Sequence, residues 1–441
     1  MSQRPDESID PTRRGVIASG AAVALVGCAG DKDTTVVAAT DADSDVDADT
    51  DPDTDDSDSA VDTDDTDTDT DTDTHTEETA ETGDPCDDPF EGGELLELVI
   101  PFVGEDREAV GTVEGEGLDG RLALDLETLD DASLITAVED FYIRTRESDL
   151  FDTGGWALGL EGMVGKPMAV DLAWLTKRAV SQGVHLLECS GNGINRGFGL
   201  MSACTWTGVP VVELIKMSGK SKGATHAVVT GFDVYSTPTT SSIPGASWVF
   251  SLDDLVAAGA FVATQMNGLP LTADHGFPAR LVVPGWYGCC CVKWIDSIRF
   301  TDDNEPATSQ MQEFASRTHQ DGTPIWARDY APATLDTAAM PIRVEKWRVD
   351  GGITYRVVGI LWGGSVTTDK LQIQLGSAAN FEDVDVCPDP STTATWTLWS
   401  HRWTPAATGE YAIAMRVDDA SITTKRLDEG FYVRTVVVDE V

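Results

Sequence analysis

The stretch Val184-His185-Leu186-Leu187-Glu188-Cys189-Ser190-Gly191-Asn192-Gly193 carries the most readable chemistry in the chain. An apolar run ends in a cysteine. Gly191, Asn192 and Gly193 follow, and each tolerates φ > 0, so the chain can turn sharply there. A strand that delivers one thiol to the lip of a pocket offers a soft ligand to a soft metal centre. A buried, inert cysteine after a strand explains the same letters, and the rest of the chain has to decide.

Basic and imidazole side chains stand out next. Phe141-Tyr142-Ile143-Arg144-Thr145-Arg146 sets two arginines after an aromatic pair. Asp274-His275-Gly276-Phe277-Pro278-Ala279-Arg280 leads into Leu281-Val282-Val283-Pro284-Gly285, and Gly288-Cys289-Cys290-Cys291-Val292-Lys293-Trp294 follows. Singly, each charge reads as a solvated surface group. Together, Arg, His and Lys on loops match a phosphate-bearing cofactor, because Arg forks fit phosphate oxygens. Glycine-rich nucleotide loops and the Cys-x-x-Cys-His haem motif are both missing from the sequence.

The elements that must position these residues begin beyond a long leader. In 1–30, Arg13-Arg14 precedes a short apolar segment, which reads as a twin-arginine export signal. That segment is too short to span a membrane. Its end, Leu25-Val26-Gly27-Cys28, is similar to a bacterial lipobox with Cys28 lipidated. Residues 31–88 are rich in Asp and Thr and cannot bury enough apolar surface to offset ordering. They read as a disordered tether, so the membrane is reached only through a lipid anchor. Calcium binding by the Asp run is the weaker alternative, because the glycine spacing of a calcium repeat is missing. The formal charge is −46. The part beyond the tether stays acidic, which argues against nucleic acid and suits a basic redox partner.

Eight cysteines are present. With Cys28 lipidated an odd number remains, so one thiol is unpaired or bound to something, and disulfides are the only account of Cys289–Cys291. The spacing of apolar residues predicts an α+β region over 89–310. Its strands fall near 95–103, 227–235, 280–283 and 292–300. Its helices fall over 170–180, from 207 through 215, and over 252–258 behind a Ser251 cap. Short alternating segments at 341–349, 354–361, 370–375, 394–403, 410–417 and 431–438 predict a β-sandwich in 320–441.

The ordered set Phe141–Arg144, Glu188–Asn192, Trp206–Pro210, Met266–Leu271, Asp274–Gly285 and Val292–Trp294 resembles the sulfite oxidase family of molybdopterin enzymes, nearest its bacterial sulfite dehydrogenase branch. The resemblance covers nearly everything after Leu95. It implies a molybdopterin-binding catalytic domain followed by an immunoglobulin-like dimerisation domain, hence a homodimer. It implies a Mo-molybdopterin cofactor with Cys189 as the metal ligand. Tyr142, Ile143, Arg144, Thr145 and Arg146 correspond to the segment on the pterin. Asp233, His275, Arg280, Cys291, Val292 and Lys293 correspond to further cofactor contacts.

The implied function is an exported oxidoreductase that oxidises sulfite or a related sulfur oxyanion, a small anionic substrate, and passes electrons to an external acceptor such as a cytochrome c. Gly193-Ile194 stands where relatives carry two arginines, with Arg196 as a stand-in beside Arg144, and the family's tyrosine is missing near 313–317. These departures keep an S-oxide or N-oxide reductase open, and a non-catalytic surface lipoprotein is the alternative from another class.

Overall fold

The computed structural model describes residues 90–441, apart from 91, 106, 108, 237–243, 379 and 426. Arg13, Arg14, Cys28, Cys86 and the tether at 31–88 lie outside the described residues. Among the described residues no helix is long and apolar enough to cross a membrane.

The fold is built from mixed sheets and few helices. One sheet runs in the order Met168–Asp171, Ala157–Gly162, Ile295–Thr301, His226–Gly231, Ser247–Ser251. Its Ile295–Thr301 and Ala157–Gly162 strands are parallel. A second orders Leu269–Pro270, Phe261–Met266, Met201–Pro210 and Val180–Glu188, with Arg280–Val282 paired to Phe261–Met266. Toward the C-terminus, Glu94–Glu97, Ala338–Val349, Gly352–Trp362, Thr397–Trp403 and Asp385–Cys387 form one antiparallel sheet. Glu382–Asp383, Leu371–Leu375, Gly409–Val417 and Arg434–Val438 form another. Residues of both, among them Val344, Tyr355, Trp399, Ile413 and Val436, fill one core.

The strand that ends in Glu188 and its partner Met201–Pro210 form a wall between two cores. Side chains alternate along a strand, so successive residues face opposite ways. Leu187, Cys189, Cys204 and Trp206 pack into one hydrophobic cluster with Leu158, Phe261 and Ile298. Leu186, Met201 and Ala203 pack into the other, with Met340, Val358 and Trp362. Each large apolar side chain so buried contributes roughly 1.5–3 kcal/mol. A backbone hydrogen bond of 2.7 Å from Leu186 N to Ala394 O ties the wall to the C-terminal part.

The helices follow their caps. Leu172–Arg178 starts where the Asp171 carboxylate accepts the Trp174 N–H and ends on Lys177 and Arg178, which suit the negative end of the helix dipole. Ser251 caps Leu252–Ala257 by accepting the Asp254 N–H.

Several boundaries differ from expectation. Only Glu94–Glu97 forms a strand in 95–103, because the register shifts at Glu97 and Phe102 makes a single bridge to Val436. Residues 207–210 finish a strand, and the helix is Val211–Ser218. The 227–235 strand is His226–Gly231, and Asp233 lies in the loop beyond it. The 292–300 strand begins at Ile295, because Trp294 has φ 54 and turns the chain first. Cys189, Cys204, Cys289, Cys290 and Cys291 are all free thiols, so the triple cysteine is not a disulfide cluster. Cys387 is disulfide-bonded.

Candidate active site

Cys189 follows directly on Glu188, which pairs with Met201 at the end of the wall. The turn after it is not built as its sequence predicts. Gly193 is extended, with φ −174. Left-handed backbone comes later, at Gly197 with φ 54 and Phe198 with φ 60. Asn192 closes the loop instead. Its N–H donates to Cys189 O at 2.9 Å, and its Oδ1 accepts the Leu200 N–H at 3.0 Å. The thiol is thereby held at one edge of a cleft of about 890 Å³.

Tyr142, Arg144, Thr145, Cys189, Asp233, His275, Arg280, Cys291, Val292 and Lys293 all line that cleft. Three expected residues do not. The Ile143 backbone bridges Leu122, and its side chain is buried. Arg146 Nε donates to Asp274 Oδ2 at 3.2 Å. Arg196 Nη1 donates to Glu114 Oε2 at 2.7 Å, which ties it up away from the cleft. Asp274, Cys289, Trp294, Gln310 and Phe314 line the cleft and were not singled out as site residues. Asp274 opens a motif already quoted. Gln310 and Phe314 sit on the short helix Ser309–Phe314, which carries no motif.

The polar groups are set by their partners. Burial pushes the Cys189 thiol up, while the Arg144 charge and the Gly191 N–H, 3.3 Å from Sγ, favour the thiolate. His275 faces the Phe141 carbonyl at 3.1 Å through Nε2 and the Thr272 hydroxyl at 2.7 Å through Nδ1. A carbonyl only accepts, so Nε2 carries the proton and the hydroxyl donates to Nδ1. Burial pulls its pKa down to about 4, so the ring is neutral. Arg280 donates to His275 O and Cys291 O and stacks over Trp206 at 5.4 Å. Lys293 Nζ donates to Thr145 O and Asp274 O, and burial, then Arg280, lowers it to about 7. Burial raises Asp233, whose Oδ1 accepts the Ala246 N–H at 3.0 Å.

This donor set fits a thiolate-ligated metal carried on a phosphate-bearing organic group. Arg280 Nε and Ser190 Oγ are buried without hydrogen-bond partners among the described residues. Cationic groups concentrate in the cleft while the chain as a whole is strongly acidic. Among the described residues no cluster of three His, Cys, Asp or Glu side chains forms a metal cage. A metal bound here would therefore take Cys189 together with ligands from the organic group.

Comparisons with known proteins agree with that chemistry. Residues 146–309 match the oxidoreductase molybdopterin binding domain. Nitrate reductase [NADH] 1 of Nicotiana tabacum is 32% identical over 171 residues, 33% of this chain and 18% of the relative. Mitochondrial sulfite oxidase of Drosophila melanogaster is 27% identical over 331 residues, 68% of this chain and 55% of the relative. Sulfite oxidase of Gallus gallus is 23% identical over 307 residues, 61% of this chain and 63% of the relative. The chain thus spans less than two thirds of the length of each of these relatives. The crystal structure of the sulfane dehydrogenase SoxCD from Paracoccus pantotrophus shares the fold, with a TM-score of 0.57 at 17% identity over 75% of this chain and 87% of that one. The chain thus carries a molybdopterin-binding oxidoreductase domain over 146–309 and is similar to sulfite oxidases and nitrate reductases.

Proposed function

We propose that the protein is an exported molybdenum enzyme that oxidises sulfite or a related sulfur oxyanion and passes the electrons to an external acceptor such as a cytochrome c. The observation that carries this reading is the Cys189 thiol at the end of its strand, at the edge of a cleft that Cys289 and Cys291 also line together with the cations Arg144, Arg280 and Lys293. When bound, the molybdenum–pterin group supplies oxygen-atom and two-electron transfer. The chain's own residues do the rest. Cys189 gives a thiolate, favoured by the Arg144 charge and the Gly191 N–H. Arg280 and Lys293 hold the cofactor's phosphate by charge-assisted bonds. Neutral His275 keeps the Phe141 backbone in position and adds no charge. Arg144 attracts the substrate anion, and Phe141, Trp294 and Phe314 narrow the space left to water.

In this reading the C-terminal sheets are the immunoglobulin-like dimerisation domain, 1–30 carries the twin-arginine signal, and Cys28 is the lipid anchor that holds the enzyme at an outer surface. The test is sulfite-dependent reduction of ferricyanide or a cytochrome c by molybdenum-loaded protein, with metal analysis of the same sample. Loaded protein that ignores sulfite would sink the reading.

A second reading runs the same site in reverse, reducing an N-oxide or S-oxide. Its support is the 32% identity to a nitrate reductase and the loss of charge at Gly193-Ile194. Oxidation of a reduced viologen dye by nitrate or a sulfoxide, without sulfite turnover, would select it.

A further inference from the structure

Positive charge is missing at Gly193-Ile194, and the structure shows what fills that space. A Cβ on Gly193 would stand 3.4 Å from the Phe431 ring. Phe431 comes from the C-terminal part and packs edge-on against Phe198 at 5.0 Å. The loop position therefore faces an aromatic ring, which is a poor neighbour for a small dianion. Arg196 does not replace the charge, because Glu114 holds it. Arg121 does not either, since its guanidinium is buried and donates to the carbonyls of Leu118, Gly120 and Arg144.

Arg317 is placed differently. It lies on the single turn Ala315–Thr318, which continues the Ser309–Phe314 helix whose Gln310 and Phe314 line the cleft. Its guanidinium carbon stands 5.3 Å from the centre of the Phe314 ring. Its Nη1 lies 3.5 Å from the point where a Cβ on Gly191 would be, and that same point is 3.8 Å from Cys189 Sγ. The guanidinium and the thiol are thus separated by no more than the sum of those two distances. Arg317 is exposed, and among the described residues it forms no hydrogen bond or ion pair, not even with Glu313 four residues before it. A planar cation without a partner at this distance from a metal-ligating sulfur can reach an oxyanion bound at the metal and share its oxygens with Arg144.

We infer that Arg317 is the anion-binding residue of this site and supplies from the 315–318 turn the charge that the 193–194 loop lacks. This rests on the proposed reading that the substrate is a small oxyanion. Gly191 belongs to the same device, since a bulky side chain there would separate the cation from the sulfur side.

The test titrates inorganic sulfate into molybdenum-loaded protein by calorimetry at low ionic strength, for wild type, Arg317→Gln and Arg317→Lys. Arg317→Gln is expected to weaken sulfate binding about tenfold or more, the size of a lost charge-assisted bond, with metal content and melting temperature unchanged. Arg317→Lys should recover part of the loss, since it keeps the charge without the fork. If sulfite is turned over, Arg317→Gln should raise KM more than it lowers kcat. Sulfate binding that is equal in wild type and Arg317→Gln, or undetectable in wild type, overturns the assignment. Sulfate binding lost in the variant of a protein that does not oxidise sulfite leaves Arg317 in place and refutes only the reaction.

Discussion

The Lys425 ammonium stands 3.3 Å from both carboxylate oxygens of Glu188, the residue immediately before Cys189. Trp362 Nε1 adds a hydrogen bond of 2.9 Å to Glu188 Oε2. The rings of Tyr287, Trp362 and Tyr432 surround the ammonium at 5.2, 5.8 and 5.7 Å. Burial acts to lower the Lys425 pKa, and Glu188, Tyr432 and Tyr287 more than offset it, so the lysine stays charged. The pair crosses from the cysteine strand to the C-terminal part, with side chains 10% and 3% exposed.

Removing one partner of such a pair strands the other charge. Lys425→Met is expected to cost about 3–5 kcal/mol in urea unfolding, and Glu188→Gln added to it should recover much of that. A single-variant cost below about 1 kcal/mol would show that water reaches the carboxylate.

His275 should make stability fall in mild acid. Burial holds its folded pKa near 4, against 6.5 when free. Between these values the unfolded chain takes up a proton that the folded one refuses. The contribution is therefore complete above pH 6.5 and declines as pH falls toward 4. At about 1.4 kcal/mol per pH unit the full loss is about 3 kcal/mol. His275→Gln should remove this slope from denaturation curves recorded between pH 7 and 4.5. Equal slopes in the two proteins would exclude His275 as its source.

Lys293 ties cofactor affinity to pH. Burial and Arg280 lower it to about 7 in the cofactor-free protein, so at pH 8 it is mostly neutral. A bound phosphate favours the ammonium, and binding then takes up a proton. Affinity for molybdopterin should weaken from pH 6 to pH 8.5 in reconstitution experiments. Lys293→Met should bind more weakly at pH 6 and lose this pH dependence; an unchanged profile would place the phosphate elsewhere.

Gly231 allows a close backbone approach beside Asp233 and Lys293, which line the cleft. A Cβ there would stand 2.6 Å from the Lys293 carbonyl oxygen and 3.2 Å from Asp233 Oδ1. Gly231→Ala should cost about 1–3 kcal/mol and lower molybdenum content, because backbone has to move. Gly159→Ala is the control. Its Cβ would meet only the Asp296 carbonyl, at an ordinary 3.5 Å. Similar melting temperatures for the two variants would refute the crowding argument.

The lining of the cleft was legible because each block is one contiguous stretch, such as 274–285 or 292–294, whose charges emerge beside strand ends. Arg196 stands off the cleft because it pairs with Glu114, 82 residues earlier, a pairing no local pattern reveals. Ile143 stands off the cleft because of its bridge to Leu122, which depends on tertiary pairing. Gln310 was missed for the same reason, as a motif-free helix brings it to the cleft only through packing. The turn after Cys189 was misplaced because a bulky residue, Phe198, takes the left-handed conformation, and Asn192 closes the loop by its side chain. Six strands of the C-terminal sheets were read to within a few residues, since Gly, Pro and Asp separate the segments, whereas the short Glu382–Asp383 and Asp385–Cys387 were not read.

The wall formed by Val180–Glu188 and Met201–Pro210 makes the protein poorly modular. A catalytic half cut from its C-terminal sheets would carry Leu186, Met201 and Ala203 as a greasy outer face, with the Glu188 carboxylate among them. The cysteine strand would then lose its packing on one face, beside the thiol. Recombining this catalytic half with a foreign C-terminal partner would therefore succeed only if that partner brought its own lysine and tryptophan to Glu188.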